Sequence, residues 1–113
     1  MKILVTGGAG FIGSNFVRMI PTGQLHGISE VKVLDKLTYA GVEKNLKPAE
    51  NFSRYQFIQG DICDPIQVSR LISEVDAVVN FAAESHVDRS IEGAADFVQT
   101  NIVGVQVLLD SIK

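Results

Sequence analysis

The stretch Val5-Thr6-Gly7-Gly8-Ala9-Gly10-Phe11-Ile12-Gly13 decides how the rest of the chain is read. It continues the apolar run Ile3-Leu4-Val5. It leads into a segment whose Ile12, Phe16, Val17 and Ile20 share one helical face before Pro21 stops it. A glycine cluster between a strand and a helix has the layout of a phosphate loop. It fits G-x-G-x-x-G through Gly8, Gly10 and Gly13, and G-x-x-G-x-x-G through Gly7, Gly10 and Gly13. The first glycine permits a tight turn, and the next lets backbone approach a pyrophosphate. Gly13 lets the helix pack close to the strand. Amides at the helix start, near Phe11 and Ile12, then face the anion.

Outward from the loop, short β-branched runs alternate with amphipathic segments. Val31 to Leu34 ends at Asp35, Tyr55 to Ile58 ends at Gly60-Asp61, and Ala77 to Phe81 forms a fourth run. Runs of this length bounded by Gly or Asp read as buried strands. Asp64-Pro65 reads as an N-cap with proline at the first helical position, opening a helix through Ile66, Val68, Leu71 and Ile72 to about Ser73. The segment from Ala94 to Ile112 carries Val98, Ile102, Val105, Leu109 and Ile112 at helical spacing, which predicts a sheet-facing stripe. Phe97, Val103 and Val107 make a second stripe beside it. Residues 36–54 show no clean period and read as an irregular excursion with a short helix around Val42 to Leu46. Alternation of this kind predicts an α/β fold. Right-handed crossovers make it a doubly wound parallel sheet of order 3-2-1-4, a partial Rossmann fold spanning 1–113.

Ligands of such sheets bind at the carboxyl ends of the strands. Asp35 ends the second strand 22 residues after Gly13, where a dinucleotide fingerprint expects an acid. Its carboxylate suits two ribose hydroxyls and repels a 2′-phosphate, so NAD is favoured over NADP. Lys36 reads as a solvated loop charge. Asp61 can accept from an adenine amino group while Ile62 covers the ring, or the pair can be a turn acid and a core residue. Cys63 reads as a small buried filler. Ala82 and Ala83 are small enough for a nicotinamide to lie against backbone. Ser85, His86, Asp88 and Arg89 crowd one short stretch without the G-x-S-x-G elbow of a hydrolase. Thr100 and Asn101 are mediocre helix formers; such a polar pair usually points to solvent, and an orientation toward a cofactor is the alternative the sequence leaves open.

Several of these motifs together resemble one family. Thr6 to Gly13 is similar to the loop of the extended short-chain dehydrogenase/reductases. Asp35-Lys36-Leu37-Thr38-Tyr39-Ala40-Gly41, Ala82 to Ile91 and Thr100-Asn101-Ile102-Val103-Gly104 narrow the resemblance to the dTDP-glucose 4,6-dehydratase family. The resemblance implies NAD as cofactor and dTDP-glucose, a sugar nucleotide, as substrate. It implies oxidation at the glucose 4-position, loss of water across the 5,6-bond and return of hydride to the 6-position. By position it implies Gly7, Gly10, Phe11, Ile12 and Gly13 at the pyrophosphate, and Asp35, Lys36, Leu37 and Thr38 at the adenosine ribose. Asp61 and Ile62 fall at the adenine. Phe81, Ala82, Ala83, Glu84 and Ser85 fall on the nicotinamide side with Thr100 near it, and Ser85 also touches the sugar nucleotide. The family's Tyr-x-x-x-Lys pair is absent, since Tyr39 and Tyr55 are the only tyrosines and neither has Lys four residues on. The Thr-Asp-Glu acid–base segment is absent too. The 113 residues therefore read as an amino-terminal part without the substrate domain, without catalytic residues of its own and inactive alone.

Composition agrees with a soluble domain. The chain is 46% hydrophobic and 20% charged, with ten Lys and Arg against 13 Asp and Glu, a net charge of −3. That balance argues against a nucleic-acid or anionic-membrane binder. No apolar run approaches the roughly 18 residues of a span, and one cysteine excludes an intrachain disulfide or a multi-cysteine metal site. A cytoplasmic location follows as the default. The apolar edge from Ala77 to Phe81 and the apolar last helix predict self-association, as a homodimer in the resembled family.

Overall fold

A computed structural model describes residues 1–37, 43–83 and 94–113. Thr38, Tyr39, Glu84, Ser85, His86, Asp88 and Arg89 lie outside the described residues. Four parallel strands, β1 (Lys2–Thr6), β2 (Glu30–Asp35), β3 (Tyr55–Gln59) and β4 (Ala77–Asn80), form one sheet in the order β3-β2-β1-β4. The expected 3-2-1-4 order is the observed one. Val5 pairs with Val33 and Val79, and Val33 with Phe57, so the strand ends are level across the sheet. The chain runs from β1 to β3 in one direction and returns across β1 to reach β4. The topological switch point therefore lies at the carboxyl ends of β1 and β4.

Period-two alternation sends the two faces of the strands into separate cores. Ile3, Val5, Val31 and Val33 pack with Ala9, Val17, Ile20, Leu46 and Ala49 on the face covered by α1 (Phe11–Met19). Leu4 and Leu34 pack with Ile62, Val68, Leu71 and Leu108 on the other, under α2 (Pro65–Ile72) and the last helix. The cap of α2 is as read: Asp64 Oδ1 accepts from the Ile66 and Gln67 amides at 3.1 and 3.2 Å. Lys32, 8% exposed, keeps its charge beside Glu74 at 2.9 Å and Glu30 at 3.5 Å, at the amino end of the sheet.

Two expectations need correction. The excursion after β2 holds a 3-10 helix over Glu43–Asn51, longer and later than the one expected near Val42 to Leu46. Its buried residues, Leu46 and Ala49, are three apart. That is one turn of a 3-10 helix, so no 3.6-residue period marks it in the sequence. The last segment is not one α-helix but α3 (Ala94–Val98), a π-helical stretch (Gln99–Gly104) and α4 (Val105–Ile112).

Its orientation also differs from the expected one. Val98, Ile102, Leu109 and Ile112 are 48–61% exposed, whereas Gly104 and Leu108 are buried. The inner side packs close through small residues. A side chain at Gly104 would overlap Ile62 Cδ1, and Ser111 Oγ lies 3.2 Å from Ser69 Oγ of α2. Val107, assigned to a second outward stripe, packs against the Leu4–Leu108 core. Hydrophobicity alone picks the outer stripe, because close approach selects small residues for the inner one.

Candidate dinucleotide site

The glycine loop leaves β1 at the switch point. Gly7 takes φ +68°, the left-handed region that favours glycine. Its amide donates to Leu34 O at 2.8 Å, and its carbonyl accepts from Gly10 at 3.3 Å. A Cβ at Gly7 would overlap the Ala82 nitrogen and the Phe81 carbonyl carbon, so this glycine lets the chain after β4 close over the loop. At Gly13 a Cβ would overlap Gly7 O, which sets the distance between α1 and the loop. Gly10 is the N-cap of α1 at φ −75°, ψ 178°, a conformation any residue adopts. It is therefore not required for the turn.

The start of α1 suits an anion. Among the described residues no side chain caps it, and no acid lies in its first turn. Phe11 and Ile12 are 90% and 68% exposed, so the first two side chains of the helix stand outside the core. Amides pointing outward along a helix axis, with the positive end of its dipole, are the usual seat of a phosphate.

The other expected residues stand around this helix start. Asp35 is 9% exposed at the end of β2. Its Oδ2 accepts from the Ala9 amide at 2.8 Å and its Oδ1 from the Leu37 amide at 2.8 Å. A carboxylate offers about four acceptor sites, so two remain for ribose hydroxyls. Leu37 sits at φ +59°, unusual for a side chain of its size. Lys36 pairs with Asp61 at 3.3 Å across the ends of β2 and β3 rather than standing alone in solvent.

Burial would raise the Asp61 carboxyl, but the Cys63 amide at 2.9 Å and the Lys36 ammonium outweigh it and hold it below the ordinary value. Ile62 is 4% exposed and belongs to the core, one of the two roles its sequence left open. Burial and the Asp61 charge push the Cys63 thiol up, and its Sγ donates to Gln99 O at 3.2 Å, which suits a filler and not a nucleophile.

On the β4 side, Asn80 Oδ1 accepts from Thr6 Oγ1 and, at 3.1 Å, from the Ala82 amide. Phe81 stacks at a tilt on Phe16 of α1, centroids 5.5 Å apart. Phe81 and Ala82 are partly buried and Ala83 is exposed. Thr100 and Asn101 are partly buried in the π-helical stretch. π-Helical turns often mark functional sites.

One residue at the loop escaped sequence reading. Asn45, in the 3-10 helix, donates from Nδ2 to Ala9 O at 3.2 Å. Nothing in its neighbourhood, Val42-Glu43-Lys44-Asn45-Leu46, singles it out. Among the described residues no cluster of three or more His, Cys, Asp or Glu could hold a metal, and no helix is long and apolar enough to cross a membrane.

This geometry agrees with comparisons to known proteins. The family model described as GDP-mannose 4,6 dehydratase matches residues 4–113. A dTDP-glucose 4,6-dehydratase of Streptomyces niveus is 57% identical over 113 residues, covering 98% of this chain and 34% of that protein. The crystal structure of a dTDP-glucose 4,6-dehydratase from Streptomyces venezuelae with NAD bound superposes with a TM-score of 0.94 at 53% identity, over 98% of this chain and 35% of that one. A UDP-glucose 4-epimerase from Thermotoga maritima with UDP-glucose superposes at 0.82 and 34% identity, over 98% and 33%. The chain spans about a third of the length of the relatives it matches.

Proposed function

The chain belongs to the GDP-mannose 4,6 dehydratase family, and on that premise we propose that it is the amino-terminal, NAD-binding part of a dTDP-glucose 4,6-dehydratase. The observation that carries this reading is the start of α1. Among the described residues no side chain caps it; it lies at the switch point and stands beside the buried carboxylate that ends β2. The residues present fit the cofactor. The α1 amides near Phe11 and Ile12 would hold the pyrophosphate. Asp35 would accept from the ribose, with Lys36, Leu37 and Thr38 around it, and its charge would turn away a 2′-phosphate. Asp61 and the backbone at Ile62 would meet the adenine. Phe81 to Ser85 would line the nicotinamide side, with Thr100 nearby and Ser85 reaching the sugar nucleotide.

When bound, NAD supplies the hydride acceptor and donor for a conversion in which the glucose 4-position is oxidised, water leaves across the 5,6-bond and hydride returns to the 6-position. The 113 residues hold no Tyr-x-x-x-Lys pair, so we assign them cofactor binding and not turnover. The outward stripe of Val98, Ile102, Leu109 and Ile112 supports a homodimer through the last helix. We place the protein in the cytoplasm. Calorimetric titration tests the binding: NAD binds, and NADP binds at least tenfold more weakly. Equal affinity for the two cofactors would overturn the role of Asp35.

A further inference from the structure

Ala9 lies at the centre of the phosphate loop and is completely buried. Its amide and its carbonyl, which belong to successive peptide planes, are both held by side chains from elsewhere in the chain. Asp35 Oδ2 takes the amide at 2.8 Å, and Asn45 Nδ2 donates to the carbonyl at 3.2 Å. The second contact is anchored in turn. Arg18 of α1 donates from Nη1 to Asn45 O at 3.3 Å, and Leu46 and Ala49 seat the 3-10 helix in the same core as Ala9 and Val17. The loop, α1 and the 3-10 helix therefore close a ring of contacts around one residue. The Ala9–Gly10 peptide plane carries the carbonyl held by Asn45, and its N–H donates to Gly7 O at 3.3 Å. Rotation of that plane would swing Gly10, the N-cap of α1, and with it the first amides of the helix.

We propose that Asn45 is a positioning residue of the phosphate loop, fixing the Ala9 carbonyl so that the start of α1 is set for a pyrophosphate before any ligand arrives. Asp35 and Asn45 divide the task. Asp35 holds the amide and is also the residue assigned to the ribose, whereas Asn45 holds the carbonyl. The inference rests on the cofactor reading above, and it makes a separable claim. Loss of Asn45 weakens ligands that carry the pyrophosphate and spares those that do not.

The experiment measures ADP-ribose and adenosine binding to the wild-type chain, Asn45→Ala and Asn45→Asp, by calorimetry for the first ligand and ligand-observed NMR for the second. Asn45→Asp keeps the shape and removes the donor. Asn45→Ala is expected to bind ADP-ribose about fivefold more weakly, the change one neutral hydrogen bond commands, and Asn45→Asp more weakly still, because it also sets a charge against the Ala9 carbonyl. Adenosine affinity should stay unchanged, which a merely structural role would not produce. Asn45→Ser, with a shorter donor, should recover part of the loss and serves where Asn45→Ala fails to fold. Equal loss for both ligands, or none for either, overturns the positioning role while leaving the cofactor reading intact. Failure of the wild-type chain to bind ADP-ribose overturns both.

Discussion

Gly13 and Gly104 each let one element approach another, but the neighbours they admit differ. A side chain at Gly13 would strike the carbonyl of Gly7, a backbone atom fixed by the turn. At Gly104 it would strike Ile62 Cδ1 and Cγ1, atoms of a side chain rather than of the backbone. The first contact shapes the binding loop itself. The second seats the last helix against the core and turns its larger apolar residues outward. Glycine in the loop is thus a condition for the site, and glycine in the helix is a condition for a surface. A rigid neighbour makes the first contact intolerant of change, and an adaptable one makes the second forgiving.

The largest effect should come from putting a methyl group at both positions. Gly13→Ala should cost about 3 kcal/mol of stability and abolish NAD binding. Gly104→Ala should cost about 1 kcal/mol, because Ile62 can shift and alanine is the better helix former. Chemical denaturation of the two variants measures this. Equal losses would erase the contrast between a fixed and an adaptable neighbour.

Next in size is the Asp35 carboxylate, which serves the loop and the ribose together. Asp35→Ala should weaken NAD by more than tenfold, since the buried Ala9 amide loses its partner along with the ribose. The same change should narrow the preference over NADP, because the repulsion of a 2′-phosphate disappears. Fluorescence titration with both cofactors reads the two effects separately. A variant that loses NAD affinity but keeps the full preference would assign Asp35 to the loop alone.

The outer stripe should respond in the opposite way. The wild-type chain should scatter light as a dimer or larger species at micromolar concentration. Ile102→Glu with Leu109→Glu should shift it toward monomer and leave NAD affinity within about twofold, a change far below one hydrogen bond. Monomeric wild-type protein at high concentration would show that nothing docks on this helix or on the open edge of β4.

The smallest effect is electrostatic. Asp61 is held below the ordinary carboxyl value despite the opposing effect of its burial, by the Cys63 amide and Lys36. A depressed folded-state value means the stabilisation is present at neutral pH and above the unfolded value near 4. It is lost as pH falls through the lower folded value. Urea unfolding followed from about pH 5 down to pH 2 should show a slope that Asp61→Asn reduces. An unchanged slope would place the acid sensitivity elsewhere.

The contrast between loop and helix also governs what the sequence discloses. The phosphate loop carries its own geometry. The turn at Gly7, the entry to α1 and the acid at 35 are local, so their spacing suffices to place them and to order the four strands. The direction in which the last helix faces depends on what it packs against. The cue that decides it is the smallness of Gly104 and Ser111, which a hydrophobic pattern counts against them. The 3-10 helix at 43–51 is hidden for a related reason, since its period of three resembles no pattern sought in a strand or an α-helix. Asn45 is invisible with it, because its partner is a carbonyl 36 residues away.

The claim on which everything else depends is that the loop from Gly7 to Gly13 receives a dinucleotide pyrophosphate. Gly10 is the residue to change, because its backbone conformation is one any residue adopts and a side chain there would stand where the pyrophosphate must approach. Calorimetric titration of NAD into the wild-type chain and Gly10→Val, with circular dichroism to verify the fold, is the direct measurement. The account predicts binding to the wild type and none to a folded Gly10→Val; undiminished affinity in that folded variant would contradict it.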